Sequence, residues 1–465
     1  MSSPNTEELL DPEMCTAAAG VAESTAEPGE PRSHFRDKLM RWVTKGGLAI
    51  LDQGLISGSN FLIGILLARW LMPDQYGAFA LAFSVFLLLS YVYQSFLAEP
   101  QAVFSGSAYR KSLRGYLKTL LGIHLILTCF GVVLLGGAAA IALAIGKGNG
   151  LPGALAGVAI ASPCILFFWL MRRAFYMNLA PGRAAVGAFI YFVLVTGGLF
   201  VAYKRSLISP FSAYLLMALG ALATGFFLLS QIKKVLPPDT AHPPKAREAW
   251  RKHWEYGRWA LAVSVVTWIP YYMYYPLVSM FSGMAQAGQL RALMNLALPM
   301  EQSYTALSIL FLPYAARICR EKGLSSAGPL VRRITLLFVV GSIGYWAILI
   351  PLKVPVFRLL YAGKYVEVAH FIPYVALGTT LWSAAFGPAI LLRAIESPDS
   401  IFYARLVASA LSLLIGVPAT RSFGLWGVVW SVVIANLAAF LISMYILQRK
   451  TKSVPLLNPA LQGEG

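Results

Sequence analysis

The chain has 465 residues, 58% of them hydrophobic and only 12% charged, with a mean hydropathy of +0.65 and a formal net charge of +18. Soluble domains of this size carry about 25% charged residues to cover their surface. This composition therefore excludes a cytosolic enzyme, a secreted disulfide domain and a disordered chain, and it points to a polytopic membrane protein. The basic residues fall between apolar runs, which marks them as topology signals and headgroup contacts rather than a nucleic-acid surface, so no nucleic-acid partner is expected. Cys15, Cys129, Cys164 and Cys319 form no C-x-x-C pair, and no metal or catalytic motif occurs, so no cofactor or metal is expected.

Residues 1–35 read as a disordered acidic cytoplasmic tail. Glu7, Glu8, Asp11, Glu13, Glu23, Glu27 and Glu30 precede the first basic residue, and no apolar run of a signal peptide follows. Twelve apolar stretches then reach the length needed to cross a bilayer of about 30 Å. They cover 47–71, 76–97, 118–145, 152–171, 184–203, 207–231, 259–281, 286–315, 333–352, 367–392, 401–419 and 425–447. None alternates with period two, so each is expected to be a helix. With the N-terminus in the cytoplasm, 29 of the 38 Lys and Arg fall on the cytoplasmic side and eight on the other, while Arg291 lies within the eighth span. Both termini are therefore expected in the cytoplasm of an inner-membrane protein.

The proline-rich, basic stretch 232–258 reads as a cytoplasmic linker between a six-helix lobe at 36–231 and a second at 259–450, with 451–465 as a C-terminal tail. The fold expected is all-α, with about twelve transmembrane helices in two six-helix lobes around a central cavity. A short echo joins the halves: Met72-Pro-Asp-Gln-Tyr-Gly77 after the first span and Gly283-Met-Ala-Gln-Ala-Gly288 after the seventh. Both links lie on one side, as in a parallel repeat.

Several stretches resemble a known family. Leu66-Leu-Ala-Arg-Trp-Leu-Met-Pro-Asp-Gln-Tyr-Gly-Ala-Phe-Ala80 is similar to the first-loop signature of Wzx-type polysaccharide flippases, in the multidrug/oligosaccharidyl-lipid/polysaccharide (MOP) exporter superfamily. Arg172-Arg-Ala-Phe-Tyr176, Gly288-Gln-Leu-Arg-Ala-Leu293, Leu359-Leu-Tyr-Ala-Gly-Lys-Tyr365 and Phe423-Gly-Leu-Trp-Gly427 extend the resemblance over 36–450. The resemblance implies alternating access and movement of a polyprenyl-diphosphate-linked glycan to the outer leaflet. Membrane lipids, a polysaccharide polymerase and export machinery are the further candidate partners. A multidrug exporter on the same scaffold is the nearest rival. A membrane glycosyltransferase is disfavoured, because the outer connections reach only about 14 residues (353–366) and offer no placed acid or base.

Polar residues inside spans cost about 2.5–3.5 kcal/mol each on insertion scales, so they are candidates for function. In span one, Asp52 sits about 8 Å from the cytoplasmic end and either serves ion coupling or reaches the interface. Gln53, Ser57 and Asn60 form a stripe at helical spacing that must face protein or water. In span eight, Arg291, Asn295 and Gln302 share a stripe, with a kink expected at Pro299. Glu301 lies beside it near mid-membrane, as an ion-coupling site or a structural carboxylate. In span seven, Trp268, Tyr271, Tyr272 and Tyr275 fall on one face, either as a stacking platform for sugar rings or as an interfacial belt. Arg172, Arg173 and Arg393 lie at cytoplasmic ends, where they orient the chain or meet diphosphate.

Overall fold

The computed structural model describes residues 32–146, 150–322, 327–395 and 397–453; all of its regular structure is helical, with no strand among the described residues. The tail expected at 1–35 lies outside them up to residue 31, as does the C-terminal tail from residue 454.

The first half is built from α1 (Arg32–Trp70), α2 (Pro73–Tyr93), α3 (Glu99–Gly106), α4 (Leu113–Ala144), α5 (Leu151–Ala174), α6 (Pro181–Lys204) and α7 (Pro210–Val235). Proline opens α2, α6 and α7, where its missing amide hydrogen has no helical partner to lose. A single π turn, Gln94–Ala98, joins α2 to α3. Ile126, Phe130 and Val133 of α4 are 72%, 71% and 74% exposed. Such a row is tolerable only against lipid.

The second half holds α8 (Ala246–Tyr272), α9 (Tyr274–Phe281), α10 (Met284–Asn295), α11 (Leu298–Lys322), α12 (Ala327–Leu349), α13 (Lys353–Tyr361), α14 (Ile372–Ala384), α15 (Phe386–Ala394), α16 (Pro398–Leu411), α17 (Val417–Phe423) and α18 (Leu425–Ser453). Ten helical stretches are long and apolar enough to span a bilayer, and an eleventh arises if α8 and α9, bent by 41° at Met273, count as one. The expected eighth span is α10 and α11, interrupted at Leu296 and Ala297. Each of the twelve expected spans thus has its helix or broken helix, and the chain is a multi-pass membrane protein.

Two expectations need correction. The basic run 246–258 is not linker but the first half of α8, because Ala-Arg-Glu-Ala-Trp is helix-forming and Glu248 pairs with Lys252 one turn on, at 3.8 Å. The true connection, Leu236–Lys245, straps across the start of α4: Asp239 accepts from the amides of Arg114 and Gly115 at 2.9 and 2.7 Å. Span eight is broken rather than kinked. Pro299 cannot donate to the carbonyl of Asn295, and the hydroxyls of Tyr361 and Tyr345 satisfy Ala292 and Leu296 instead, at 2.9 and 2.6 Å. The outer connection 353–366 carries α13.

The echoed hexapeptides meet one another. α2 and α10 cross where Gly77 faces Gly288: a Cβ on Gly77 would strike the carbonyl of Met284, and one on Gly288 would lie 2.6 Å from the carbonyl oxygen of Pro73. Each imagined Cβ also lies 3.1 Å from the amide nitrogen of the opposite glycine, so the contact is reciprocal. Only hydrogen at both positions lets the backbones approach this closely. On the same side Arg69 donates to the carbonyl of Leu359 at 2.6 Å, and Lys364 to that of Leu71 at 2.7 Å. Arg69 thus binds across the halves. These contacts close the seam on the side opposite the termini.

α8 belongs to both halves. His253, fully buried, is bonded to the Tyr116 hydroxyl through Nε2 and to the Phe96 carbonyl through Nδ1, both at 2.7 Å. Gly257 rests on Phe96 and the Ser95 carbonyl. Further along, Ser409 donates to the carbonyl of Val266, and Arg405 to Thr267 at 3.0 Å.

Candidate functional site

At the α2–α10 crossing a buried cation lacks a counter-ion. Arg291 is 7% exposed, its guanidinium lies 4.8 Å from the Phe83 ring centre, and the phenols of Tyr76, Tyr272 and Tyr275 surround its charge. Asn295, one turn on and fully buried, donates to the Tyr76 hydroxyl at 2.8 Å. Nε of Arg291 and Oδ1 of Asn295 are buried without partners, and among the described residues no carboxylate pairs with Arg291. The Tyr76 and Tyr275 hydroxyls and the Phe83 ring hold the guanidinium where a carboxylate would otherwise stand. A site in this condition suits an anion.

The interruption at Leu296 splits the expected Arg291–Asn295–Gln302 stripe. Arg291 and Asn295 turn toward α2, whereas Gln302 accepts a hydrogen bond from Ser57 of α1 at 2.9 Å. That bond brings the polar stripe of span one to the second half. Gln53 and Gln302 are exposed, and Asn60 and Glu301 half-buried, so the stripe is not sealed between the halves. Glu301 feels the field of Arg291. Among the described residues its carboxylate has no hydrogen-bond or ion-pair partner.

Asp52, expected either in ion coupling or at the interface, is 1% exposed and reaches no water. It accepts from Arg172 at 3.4 Å and from the Tyr176 hydroxyl at 2.6 Å, which ties α1 to α5. Arg172 is thereby committed within the first half. Arg173 beside it keeps one buried Nη1 without a partner, with Glu99 and Tyr93 nearby. Arg393, at the end of α15, is exposed.

The aromatic residues of α8 and α9 do not form one open platform, because each is taken up by a neighbour. Trp268 donates to the Ser84 carbonyl at 3.1 Å, and Tyr272 lies 6.4 Å from the Tyr91 ring. Tyr271 donates to Asn436 at 3.4 Å, and Tyr275 is buried beside Arg291 beyond the bend at Met273. His124, isolated in sequence, is bonded to the Tyr93 hydroxyl at 3.0 Å.

Residues missed from sequence are Tyr76 and Phe83 beside Arg291, and Tyr345 and Tyr361 at the helix break. Tyr76 lies inside the echoed hexapeptide, and that was the one available signal. α2 is apolar all round, so periodicity could not say which face meets α10.

No family model and no curated protein matches the chain. Its fold, however, is shared with solved transporters. A multidrug resistance MATE family transporter of the MOP superfamily in its inward-facing conformation aligns over 86% of this chain and 94% of its own, with a TM-score of 0.73 and 13% identity. The lipid II flippase MurJ in an inward closed conformation aligns over 87% of each chain, with a TM-score of 0.67 and 14% identity. The outward-facing conformation of a MATE family transporter scores lower, 0.62 at 13% identity, over 88% of this chain and 95% of its own. The chain shares the fold of these solved structures.

Proposed function

We propose that the chain is an alternating-access transporter that moves a polyprenyl-diphosphate-linked oligosaccharide, an O-antigen or exopolysaccharide repeat unit, across the cytoplasmic membrane. The fold serves multidrug export equally well. What favours an anionic headgroup is the unpaired, buried Arg291 at the seam, where an organic cation would be repelled. Guanidinium forks suit diphosphate oxygens, and Arg173 offers a second donor in the first half. With the termini in the cytoplasm, the closed side faces outward and the seam opens toward the leaflet where the carrier lipid is loaded. No step of this function requires bond chemistry.

Orientation is checked with reporter fusions. Those after Gly146 and Lys204 are expected outside and one after Pro238 inside, and a reversal discards the direction of transport. The substrate is tested with purified protein and a polyprenyl diphosphate carrying a short glycan. A charge-assisted hydrogen bond contributes about 1.5–3 kcal/mol, so Arg291→Met should weaken binding about ten- to a hundredfold. Cells lacking the protein should retain the lipid-linked glycan in the cytoplasmic leaflet. Transport of a cationic dye that is indifferent to Arg291→Met would instead establish the multidrug reading.

A further inference from the structure

The start of α8 carries a recess remote from the seam. Lys245, Arg247, Glu248, Trp250, Arg251 and Trp254 line a cavity of about 690 Å³ on the side of the termini. Glu248 is engaged by Lys252. The side chains of Lys245, Arg247 and Arg251 have no ion pair or hydrogen bond among the described residues, so the recess is cationic. Its wall is fixed: Trp254 stacks on Phe96 of the first half at 5.2 Å with 9° between the rings, and Trp250 lies 6.1 Å from Trp254. Trp254 is nonetheless 49% exposed. A surface of three free cations beside two indoles fits an acidic peptide that also carries apolar side chains.

We propose that this recess holds the chain's own acidic N-terminal segment. Residues 1–31 carry seven carboxylates and no Lys or Arg. Within them Glu7-Glu-Leu-Leu-Asp-Pro-Glu-Met14 sets four acids among Leu9, Leu10 and Met14, a match for the three cations and the two indoles. α1 and α8 both begin on the side of the termini. The 18 residues from Met14 to Arg32 reach up to about 60 Å when extended. Tethering keeps the segment at roughly millimolar effective concentration, so weak ion pairs suffice for occupancy.

Cys15 adjoins this segment and provides the test. In full-length protein with Cys129, Cys164 and Cys319 replaced by alanine, Ala246→Cys puts a thiol at an exposed position beside the recess without removing a cation. Oxidative cross-linking of the two thiols within one chain is expected at low salt, about tenfold slower in 1 M salt, where screening shortens to about 3 Å. It should be lost when Glu7, Glu8, Asp11 and Glu13 become amides. Ser230→Cys, exposed near the same end of α7, should cross-link at the lower, salt-independent rate. Equal rates at both positions, insensitivity to salt, or cross-links only between copies would overturn the proposal. Loss of the Ala246→Cys cross-link in phosphatidylglycerol vesicles, with retention in neutral phosphatidylcholine vesicles, would assign the recess to lipid headgroups and overturn it equally.

Discussion

Gly77→Ala is expected to lower the melting temperature of the purified protein by several degrees and to loosen the side opposite the termini. The added methyl would strike the Met284 carbonyl, which is backbone and has no rotamer to escape into. Relief requires α2 and α10 to move apart. Overpacking of this kind costs about 1–3 kcal/mol. Gly288→Ala should cost less, since its Cβ would meet the Pro73 carbonyl oxygen at 2.6 Å. The pair is informative because the contact is reciprocal: once one methyl has separated the helices, the second has room. The double variant should therefore be less destabilised than the two single effects combined, by 0.5 kcal/mol or more. Thermal unfolding in detergent measures all three variants. Strict additivity, or a melting temperature unchanged by Gly77→Ala, would mean that the two glycines do not set the helix separation at the crossing.

Glu301→Gln should leave folding intact and uncouple transport. Among the described residues the carboxylate has no hydrogen-bond or ion-pair partner, and it is half-buried between the halves within the field of Arg291. A group so placed can exchange a proton or a cation whenever the seam changes its access, and glutamine keeps its shape while removing that capacity. Proteoliposomes carrying the variant should bind the lipid-linked glycan normally and lose at least tenfold of the transport driven by an ion gradient. A structural carboxylate would behave otherwise, with lower expression and melting temperature in the variant. Gradient-driven transport at the original rate by a well-folded variant would remove Glu301 from coupling.

Much of the architecture was legible because the membrane imposes it. Runs of about 20 apolar residues can only be helices in lipid, and the distribution of Lys and Arg separates the two faces. What escaped depended on contacts between distant residues. Asp52 and Arg172 both stood out as membrane charges, yet nothing local says that they pair across 120 residues and so satisfy each other. Carrying helical periodicity from Arg291 through to Gln302 assumed a continuous helix. Pro299 warned of a kink, but the interruption falls earlier, where tyrosines of α12 and α13 accommodate the freed carbonyls. The basic run after Lys245 looked like linker because charge suggested solvent, whereas its alanines and the Glu248–Lys252 spacing already favoured helix. The Gly77 and Gly288 echo, read as a sign of duplication, also marks a contact that sequence alone does not reveal.

The placement of α8 separates the covalent join between the two halves from the mechanical one. The strap 236–245 is pinned to α4, and His253 and Gly257 pin the start of α8 to the same body. The tightly packed Tyr274, whose ring abuts Gly416, lies just beyond the bend and belongs to the other. Rotation of one half against the other is thus concentrated near Met273 rather than in the proline-rich strap. The 27-residue rod of α8 is about 40 Å long. A swing of about 10° about its far end would carry the opposite end through about 7 Å. The side-chain bonds from Ser409 and Arg405 to Val266 and Thr267, near the Met273 end of α8, would have to be exchanged on the way, which makes α8 a lever with a detent.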